Sequence, residues 1–587
     1  MSHIAVGPKM RYNRRWYDLQ WRNPTLALKL IFDKSPLLSL TSLPLRPGQA
    51  RVALPRAKAL YAMTGAAEGH PALWEGVFRL ACTVKAHPME EPVVSWIRDA
   101  MAHQAEDGSL PGPVADQVAV LRAAWAIYEH DAKRPLLEKL ALWCGWACEH
   151  WEAVLSDAQV RVSPADLMSL LLDLYRVTGK KPLLHLCERL RAEAMDWSGA
   201  LHTFSVQRPV KRIISWDELE QGMRDEESRE SGFYTRQYLT CHGETLADGL
   251  RSSLMSGRFS GSGTELSAPH VGWEKISRYH GAICGGTTAD ETLGGASPSA
   301  AVGAASLGAW AEAFAALREQ WAYDALDILF HNGLPASIGN EGIVSFQRVN
   351  GLEADCGAAD CYHVGQDMDL RSLNRLCRGY AAAISSSVTP RPDGLSLNLY
   401  VPGRYAVPTA QGTLVLNVAG SDGSWAVTVH ARQPIKATIR LRVPGWTDEA
   451  AVTVGGRDIG DDCVGMSITL DRTWQDGDLI AIRFARKPRV LDGYHQSACV
   501  MLGNQVMALP ATPDSSWNVA LCGEPVVTEN GHVTVPLKRV PVWTRKDAVP
   551  VDLPVRPETD GDAFIAELNP YADTPCRIAV FTQEMQA

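Results

Sequence analysis

The hydrophobic pattern changes period once along the chain, near residue 390. Before that point apolar residues recur at three- and four-residue spacings. Trp74, Val77, Phe78 and Ala81 form one stripe, and Val118, Leu121, Trp125 and Tyr128 form a second. Leu140, Cys144, Ala147 and Trp151 continue the pattern, as do Leu167, Leu170, Leu171, Leu174 and Tyr175. Such spacing lays apolar side chains along one face of a helix. Stretches near 181–195, 240–257, 300–318, 320–332 and 370–385 read the same way, which predicts about eleven or twelve helices. Gly and Pro punctuate the joins, as at Gly69-His70-Pro71, Gly112-Pro113 and Gly333-Leu334-Pro335.

Beyond residue 390 the period becomes two. Segments 395–400, 413–418, 425–430, 437–443, 466–470 and 479–484 alternate as half-buried strands do. Turn signals separate them, including Asp422-Gly423, Gly455-Gly456 and Asp476-Gly477. Helices come first and strands after, so the two are separate units rather than alternating crossovers. The predicted fold is α+β multidomain, an (α/α)6 toroid followed by one or two C-terminal β-sandwiches. The expected division is an N-terminal arm over 1–30, a catalytic toroid over 31–390 and a β-sandwich region over 391–587.

Composition narrows the function. The 587 residues are 46% apolar and 21% charged, enough to bury a large core. Lys plus Arg is 57 against 66 Asp plus Glu, a net charge of −9. No basic face is concentrated enough to neutralise phosphates, so nucleic acid is not an expected partner. Apolar runs such as 140–148 fall far short of the ~20 residues of a membrane span. The N-terminus lacks the apolar stretch of a secretory signal. Thirteen cysteines, an odd number scattered along the chain, read as reduced thiols. The expectation is therefore a cytoplasmic protein with no membrane partner. Trp (18) outnumbers Tyr (15) and Phe (11). Indole is a stacking surface for sugar rings and equally a core residue. The charged, poorly periodic segment 205–235 reads as a solvated loop or lid.

The phosphate-loop and dinucleotide glycine motifs are absent, as are His-Glu-x-x-His and Gly-x-Ser-x-Gly. Titratable residues instead cluster in three places. The first is Thr240-Cys241-His242-Gly243-Glu244, opening a helix that runs through Asp248. The second is Arg278-Tyr279-His280, then Gly285-Gly286 through Asp290-Glu291 to Gly294-Gly295. The third is Asp355-Cys356, Asp360-Cys361-Tyr362-His363, then Asp367-Met368-Asp369 running into Arg371 and Asn374-Arg375. In a toroid these loops converge at one mouth, where two facing carboxylates suit glycoside hydrolysis. Plainer readings stand beside this one. His242 and Asp369 can be helix N-caps, and Asp290-Glu291 can be a surface turn. Cys356, Cys361 and His363 have metal-compatible spacing, but structural zinc takes four ligands. Free buried cysteine fits better, so neither a metal nor a cofactor is expected.

These residues resemble glycoside hydrolase family 127, whose founding activity is β-L-arabinofuranosidase. The resemblance runs through the Gly285-Gly286 to Ser299 segment and through Tyr323 to Pro335. It continues in Asp393-Gly394-Leu395 through Pro402, in Arg442-Val443-Pro444-Gly445-Trp446, in Trp474 with Gly477-Asp478, and in Pro570-Tyr571. It implies that Glu291 is the acid/base and that His242 opens a helix at the site. The family's nucleophile is a cysteine held on zinc by two further cysteines and a second glutamate. Anchored on Ser306-Leu307-Gly308, those positions here are Val302-Gly303-Ala304 and Leu370-Arg371. The cysteine–zinc apparatus is therefore not expected.

A carboxylate can take a thiolate's place as the anion that forms a covalent glycosyl intermediate. The expected catalytic pair is Glu291 as acid/base with Asp369 or Asp367 as nucleophile or base. His242, His280, Asp290, His363, Arg371 and Asn374 are the expected sugar contacts. The predicted activity is intracellular hydrolysis of a terminal sugar from oligosaccharides or glycoconjugates. One alternative is a polysaccharide lyase or other sugar-modifying enzyme, with Tyr279 or His280 as base and Arg371 and Asn374 as neutralisers. Another is a catalytically inactive carbohydrate-binding homologue. The β-sandwich is the expected surface of a homodimer.

Overall fold

The computed structural model describes residues 45–66, 70–84, 90–132, 134–207, 210, 239–289, 292–295, 300–339, 342–350, 370–447, 449–459, 467–492, 497–511, 517–541 and 562–583. Among these, twelve helices have eight residues or more. They are α1 (Pro55–Ala62), α2 (Pro71–Val84), α3 (Glu90–Ala102), α4 (Val114–Asp131), α5 (Arg134–Glu149) and α6 (Ala165–Thr178). Then follow α7 (Pro182–Glu193), α8 (Gly243–Ser260), α9 (Gly263–His280), α10 (Ala304–Leu317), α11 (Gln320–His331) and α12 (Leu370–Ser386).

The even-numbered helices close a cycle. α2 packs on α4, α4 on α6, α6 on α8, α8 on α10, α10 on α12, and α12 returns to α2. The odd-numbered helices sit outside, each against its sequence neighbours. Burial follows this order. In α10, all but two residues are buried, and Leu307, Ala311 and Phe314 are fully enclosed. That is the pattern of a helix covered on all sides. In α7 only the stripe of Leu183, Leu184, Leu186, Cys187 and Leu190 is buried, the pattern of a helix with a wet outer face.

The last helix ends at Ser386 and strands begin at Val388. Residues 388–484, joined by strand Ala50–Val52, form two sheets, one of seven strands and one of four. Strands Gly412–Ser421 and Asp478–Phe484 alternate buried and exposed positions, so each buries one face. Leu395, Leu414, Val427, Ile439 and Ile480 fall in one apolar core with the helices. Trp474 is fully buried there, and its Nε1 donates to the Ala437 carbonyl at 2.9 Å. Strand Ala50–Val52, on the helical side of the expected division, pairs with Gly403–Thr409 instead. It precedes α1 and carries the chain from the seven-stranded sheet into the ring. The third sheet, between Pro488 and Gln583, has nine strands and a separate core of Val500, Val519, Val535, Leu537 and Phe581.

One helix joins all three units. Asp324 and Asp327 of α11 both accept from Arg442 in the four-stranded sheet. Asp327 also accepts from Trp446 Nε1 at 3.0 Å and from Asn504 Nδ2, in the third sheet, at 2.9 Å. Asn332, just past α11, accepts from Val506 N and donates to the Asn504 carbonyl, both at 2.8 Å. Burial alone would raise the Asp327 carboxyl. The His331 hydrogen bond and charge, then Arg442, hold it well below the usual carboxylate range.

Candidate functional site

Three consecutive helices of the ring, α8, α10 and α12, begin where the three titratable clusters lie. The backbone between them is tightly tied. His242 bridges Thr292, and Leu293 N donates to the Cys241 carbonyl at 2.8 Å. Gly303 N, the cap of α10, donates to the Ala289 carbonyl at 2.7 Å. Thr288 clasps the loop from within. Its N donates to the His280 carbonyl at 2.8 Å and its Oγ1 to the Gly295 carbonyl at 2.6 Å.

Two glycines explain why this loop reads as it does. Gly285 has φ +98°, and a Cβ there would lie 2.6 Å from the Leu329 backbone. A Cβ on Gly243 would lie 2.6 Å from the Ala289 Cβ and 2.8 Å from Ser306 Oγ. The first turn of α8 can therefore lie against the loop and against α10 only with glycine at 243.

His242 is the N-cap of α8. Its Nδ1 accepts from Thr245 N at 3.4 Å and shares a 2.9 Å bond with Thr245 Oγ1. The cap uses Nδ1, and the residue is half-buried. His280 has a different place. It is fully buried, and its Nε2 donates to the Val206 carbonyl at 3.0 Å. Burial holds it below the usual histidine range. That enclosure places it among the supports of the loop, whose Thr288 N donates to its carbonyl. Asn374 lies half-buried on α12, and its Oδ1 has no hydrogen-bond partner among the described residues. Arg371 lies in the first turn of α12, but its side chain is outside the described residues, as are Asp290, Glu291, His363, Asp367 and Asp369. Most of segment 205–235 lies outside them too.

The ring interior holds a network that apolar periodicity did not predict. Arg375 on α12 donates to Glu244 at 2.7 Å, to Asp248 at 2.5 Å and to Glu312 at 3.2 Å. Arg378, one turn on, joins Glu312 at 2.8 Å to Asp166 at 2.9 Å. Asp166, in the first turn of α6, also accepts from Arg251 at 2.5 Å and Arg122 at 2.7 Å. Arg122 continues to Glu75 at 2.7 Å, and Arg79 joins Glu75 to Glu129, both at 2.9 Å. Every even-numbered helix contributes. The signal in the sequence was polar and helical. Glu244, Asp248 and Arg251 stand at i, i+4 and i+7, and Arg375 and Arg378 at i and i+3.

Two carboxyls of this network are strongly shifted by their neighbours. Burial would raise Glu75 and Asp166, but the surrounding guanidiniums, Arg122 foremost, hold both carboxyls well below the usual range. They are acceptors and wall, not proton donors.

The zinc positions implied by the resemblance do not fit a metal. Val302 is fully buried in a strand and pairs with Gln347. Ala304 is fully buried, and its N donates to the Ser345 carbonyl at 2.8 Å. Neither side chain has a donor atom for zinc, and neither Leu370 nor Arg371 supplies a thiolate. No group of three His, Cys, Asp or Glu that could hold a metal occurs among the described residues.

Comparison with known proteins agrees with this architecture. Residues 394–486 match the family model described as β-L-arabinofuranosidase, GH127 middle domain. A GH127 β-L-arabinofuranosidase from Geobacillus stearothermophilus T6 superposes with a TM-score of 0.65 at 15% identity, over 99% of this chain and 100% of that one. A structure described as a glycoside hydrolase superposes with a TM-score of 0.68 at 14% identity, over 93% and 99%. A GH127 β-arabinofuranosidase superposes with a TM-score of 0.59 at 15% identity, over 93% and 96%. No curated protein matches the chain. Residues 394–486 thus resemble the family 127 middle domain in sequence, and nearly the whole chain is similar in fold to the solved family 127 structures. No helix among the described residues is long and apolar enough to cross a membrane.

Proposed function

We propose that this family 127-like chain is an arabinofuranosidase-like glycoside hydrolase that removes a terminal sugar from an oligosaccharide or glycoconjugate. The observation that carries the reading is the joining of His242 to Thr292, the residue next to Glu291, at the start of an inner helix. The closed cycle of six helices supports an (α/α)6 toroid, and the paired sheets after it support β-sandwiches. The helix starts of α8, α10 and α12 then surround one mouth. Glu291 is the general acid/base, and Asp369 or Asp367 supplies the nucleophile or base. His242 and Asn374 bind sugar hydroxyls, with Asp290, His363 and Arg371 from the same loops. The wall of Glu244 and Asp248 supports the assignment, because both carboxylates are engaged by Arg375, at 2.7 and 2.5 Å.

No step passes through zinc. A carboxylate nucleophile about 5–5.5 Å from Glu291 gives retention, and a base about 6.5–9.5 Å away gives inversion. The compartment is proposed to be cytoplasmic, with self-association through the β-sandwich region.

A screen of aryl glycosides, L-arabinofuranosides included, tests the activity. Glu291→Gln should lower turnover roughly 10²–10⁴-fold while the sugar still binds. Turnover unchanged in that variant would remove Glu291 from the chemistry. A wild-type chain that binds sugar and hydrolyses nothing would make it a binding protein.

A further inference from the structure

A cavity of about 630 Å³ lies between α9 and α11 on one side and the third sheet on the other. Its size falls within the about 300–1,000 Å³ of small-molecule sites. Two indoles line it, Trp273 and Trp321, both half-buried. Both are held in place. Trp273 packs against Trp310 and Phe314, with centroids 4.9 and 4.8 Å away. Trp321 stacks on His270 at 4.9 Å, and its Nε1 donates to Glu319 at 2.6 Å.

The polar lining is equally specific. Arg278 is exposed at this cavity, and no carboxylate pairs with it among the described residues. Asp324 presents a carboxylate whose Oδ1 is taken by Arg442 and Gly445 N. Its Oδ2 has only a 3.5 Å contact with Gln320 Nε2. Asp492 and Ser497 line the sheet side.

We infer that this cavity is a second carbohydrate site, taking a neutral sugar unit outside the ring. The lining decides the ligand class. An apolar molecule would cover Arg278 and Asp324 without replacing their water. An anion would meet Asp324 and Asp492, and a cation would meet Arg278. A neutral sugar has an apolar face for indole and paired hydroxyls for a guanidinium or a carboxylate. Gly281, Gly285, Gly286 and Thr288 line the same cavity. They belong to the loop that runs on to Glu291, so an occupant touches the outer side of that loop. The lining comes from both the helices and the third sheet, so an occupant would bridge the two.

The test uses the full chain with L-arabinose, D-galactose and D-glucose as probes. Crystals soaked in each sugar report where it binds, and tryptophan fluorescence titration reports affinity. The expected result is a sugar against Trp273 or Trp321 in this cavity for at least one probe. Arg278→Ala, an exposed change that leaves the packing intact, should weaken that binding about tenfold, as loss of a charged hydrogen bond does. Trp321→Phe should weaken it less than Trp321→Ala. Sugar found only inside the ring, sugar found nowhere, or a titration indifferent to Arg278→Ala and Trp321→Ala overturns the inference. Hydrolysis of aryl glycosides is measured on the same preparation. A chain that hydrolyses with an empty cavity loses this inference alone, and a filled cavity without hydrolysis loses the proposed activity alone.

Discussion

Arg375 donates its Nε to Glu244 at 2.7 Å and so ties the last helix of the ring to the first turn of α8. The same guanidinium reaches Asp248 and Glu312, so three carboxylates share one cation at its centre. Burial would disfavour the charge, but Asp248, Glu244 and Glu312 raise the Arg375 pKa well above its ordinary value. Replacing Arg375 by Met removes the cation that Glu244, Asp248 and Glu312 share, and leaves Arg251 to Asp248 and Arg378 to Glu312. The expected cost is about 3–5 kcal/mol of stability, the range for breaking a buried ion pair. Arg375→Lys should recover only part, because a point charge cannot serve three acceptors as a planar fork does. Urea unfolding midpoints of the two variants check this, and a loss below about 1 kcal/mol for Arg375→Met would show the network to be surface-like.

His242 can be separated into its two proposed duties. As N-cap it accepts from Thr245 N, a contribution of about 1 kcal/mol. His242→Ala should lose both the cap and the sugar contact. His242→Asn keeps a capping side chain, so its melting temperature should return to within the error of wild type. The catalytic efficiency kcat/KM of His242→Asn should stay about tenfold down, the loss of one good hydrogen bond to substrate. Full recovery of kcat/KM in His242→Asn would reduce His242 to a cap.

The helical half and the strands were legible because each has a repeating physical cause. Leu167, Leu170, Leu171 and Leu174 face the core of α6, and the alternation in 479–484 is the alternation of the strand Asp478–Phe484. The place of strand Ala50–Val52 was not legible. Three residues carry no period, and their partner lies some 350 residues away. The ion network was hidden for another reason. Buried charges inside a helical ring look, in sequence, like the wet faces of surface helices. Arg378 or Asp166 reads as solvent-facing until the opposing helix is in place. For the candidate site, Gly243 and Gly285 carried a real signal of close backbone approach, and the full burial of His280 was not legible. A histidine beside a functional loop has the same appearance whether it faces the cleft or the core.

The residues at 302, 304, 370 and 371 make a prediction about metal dependence. Val302 and Ala304 are enclosed side chains without donor atoms, so a zinc-thiolate nucleophile has no anchor there. Turnover should survive prolonged treatment with a strong chelator and should not rise on adding zinc. The cysteines give the matching test. Burial pushes the Cys241 and Cys284 thiols up to about 11, and those nearby thiols stay protonated and unreactive at neutral pH. Iodoacetamide at pH 7 should leave turnover intact. Inactivation by the chelator that added zinc reverses, or inactivation by iodoacetamide that bound zinc prevents, would return a metal to the mechanism.

The joint between the three units predicts a pH dependence of stability. His331 and Asp327 lie one turn apart on α11, with Nδ1 and Oδ1 3.1 Å apart. Burial opposes a charge on His331, yet the hydrogen bond and charge of Asp327 raise its pKa above the ordinary 6.5. A raised folded pKa gives stability that is fully present below 6.5 and is lost as pH rises through the folded value. Asp327 works in the opposite sense. Its carboxyl is held below the ordinary 3.8, so its contribution is present above that pH and is lost as pH falls through the folded value. The joint is therefore tightest between these limits. The melting temperature should decline on the alkaline side, and His331→Gln should flatten that decline while leaving the acid limb in place. Asp327→Asn should lower the melting temperature across the whole range. It weakens the hold on Arg442 and leaves His331 without its carboxylate, a cost of about 1–3 kcal/mol for a buried group left unsatisfied. If His331→Gln melts with the same alkaline slope as wild type, the titrating group of the joint is not His331.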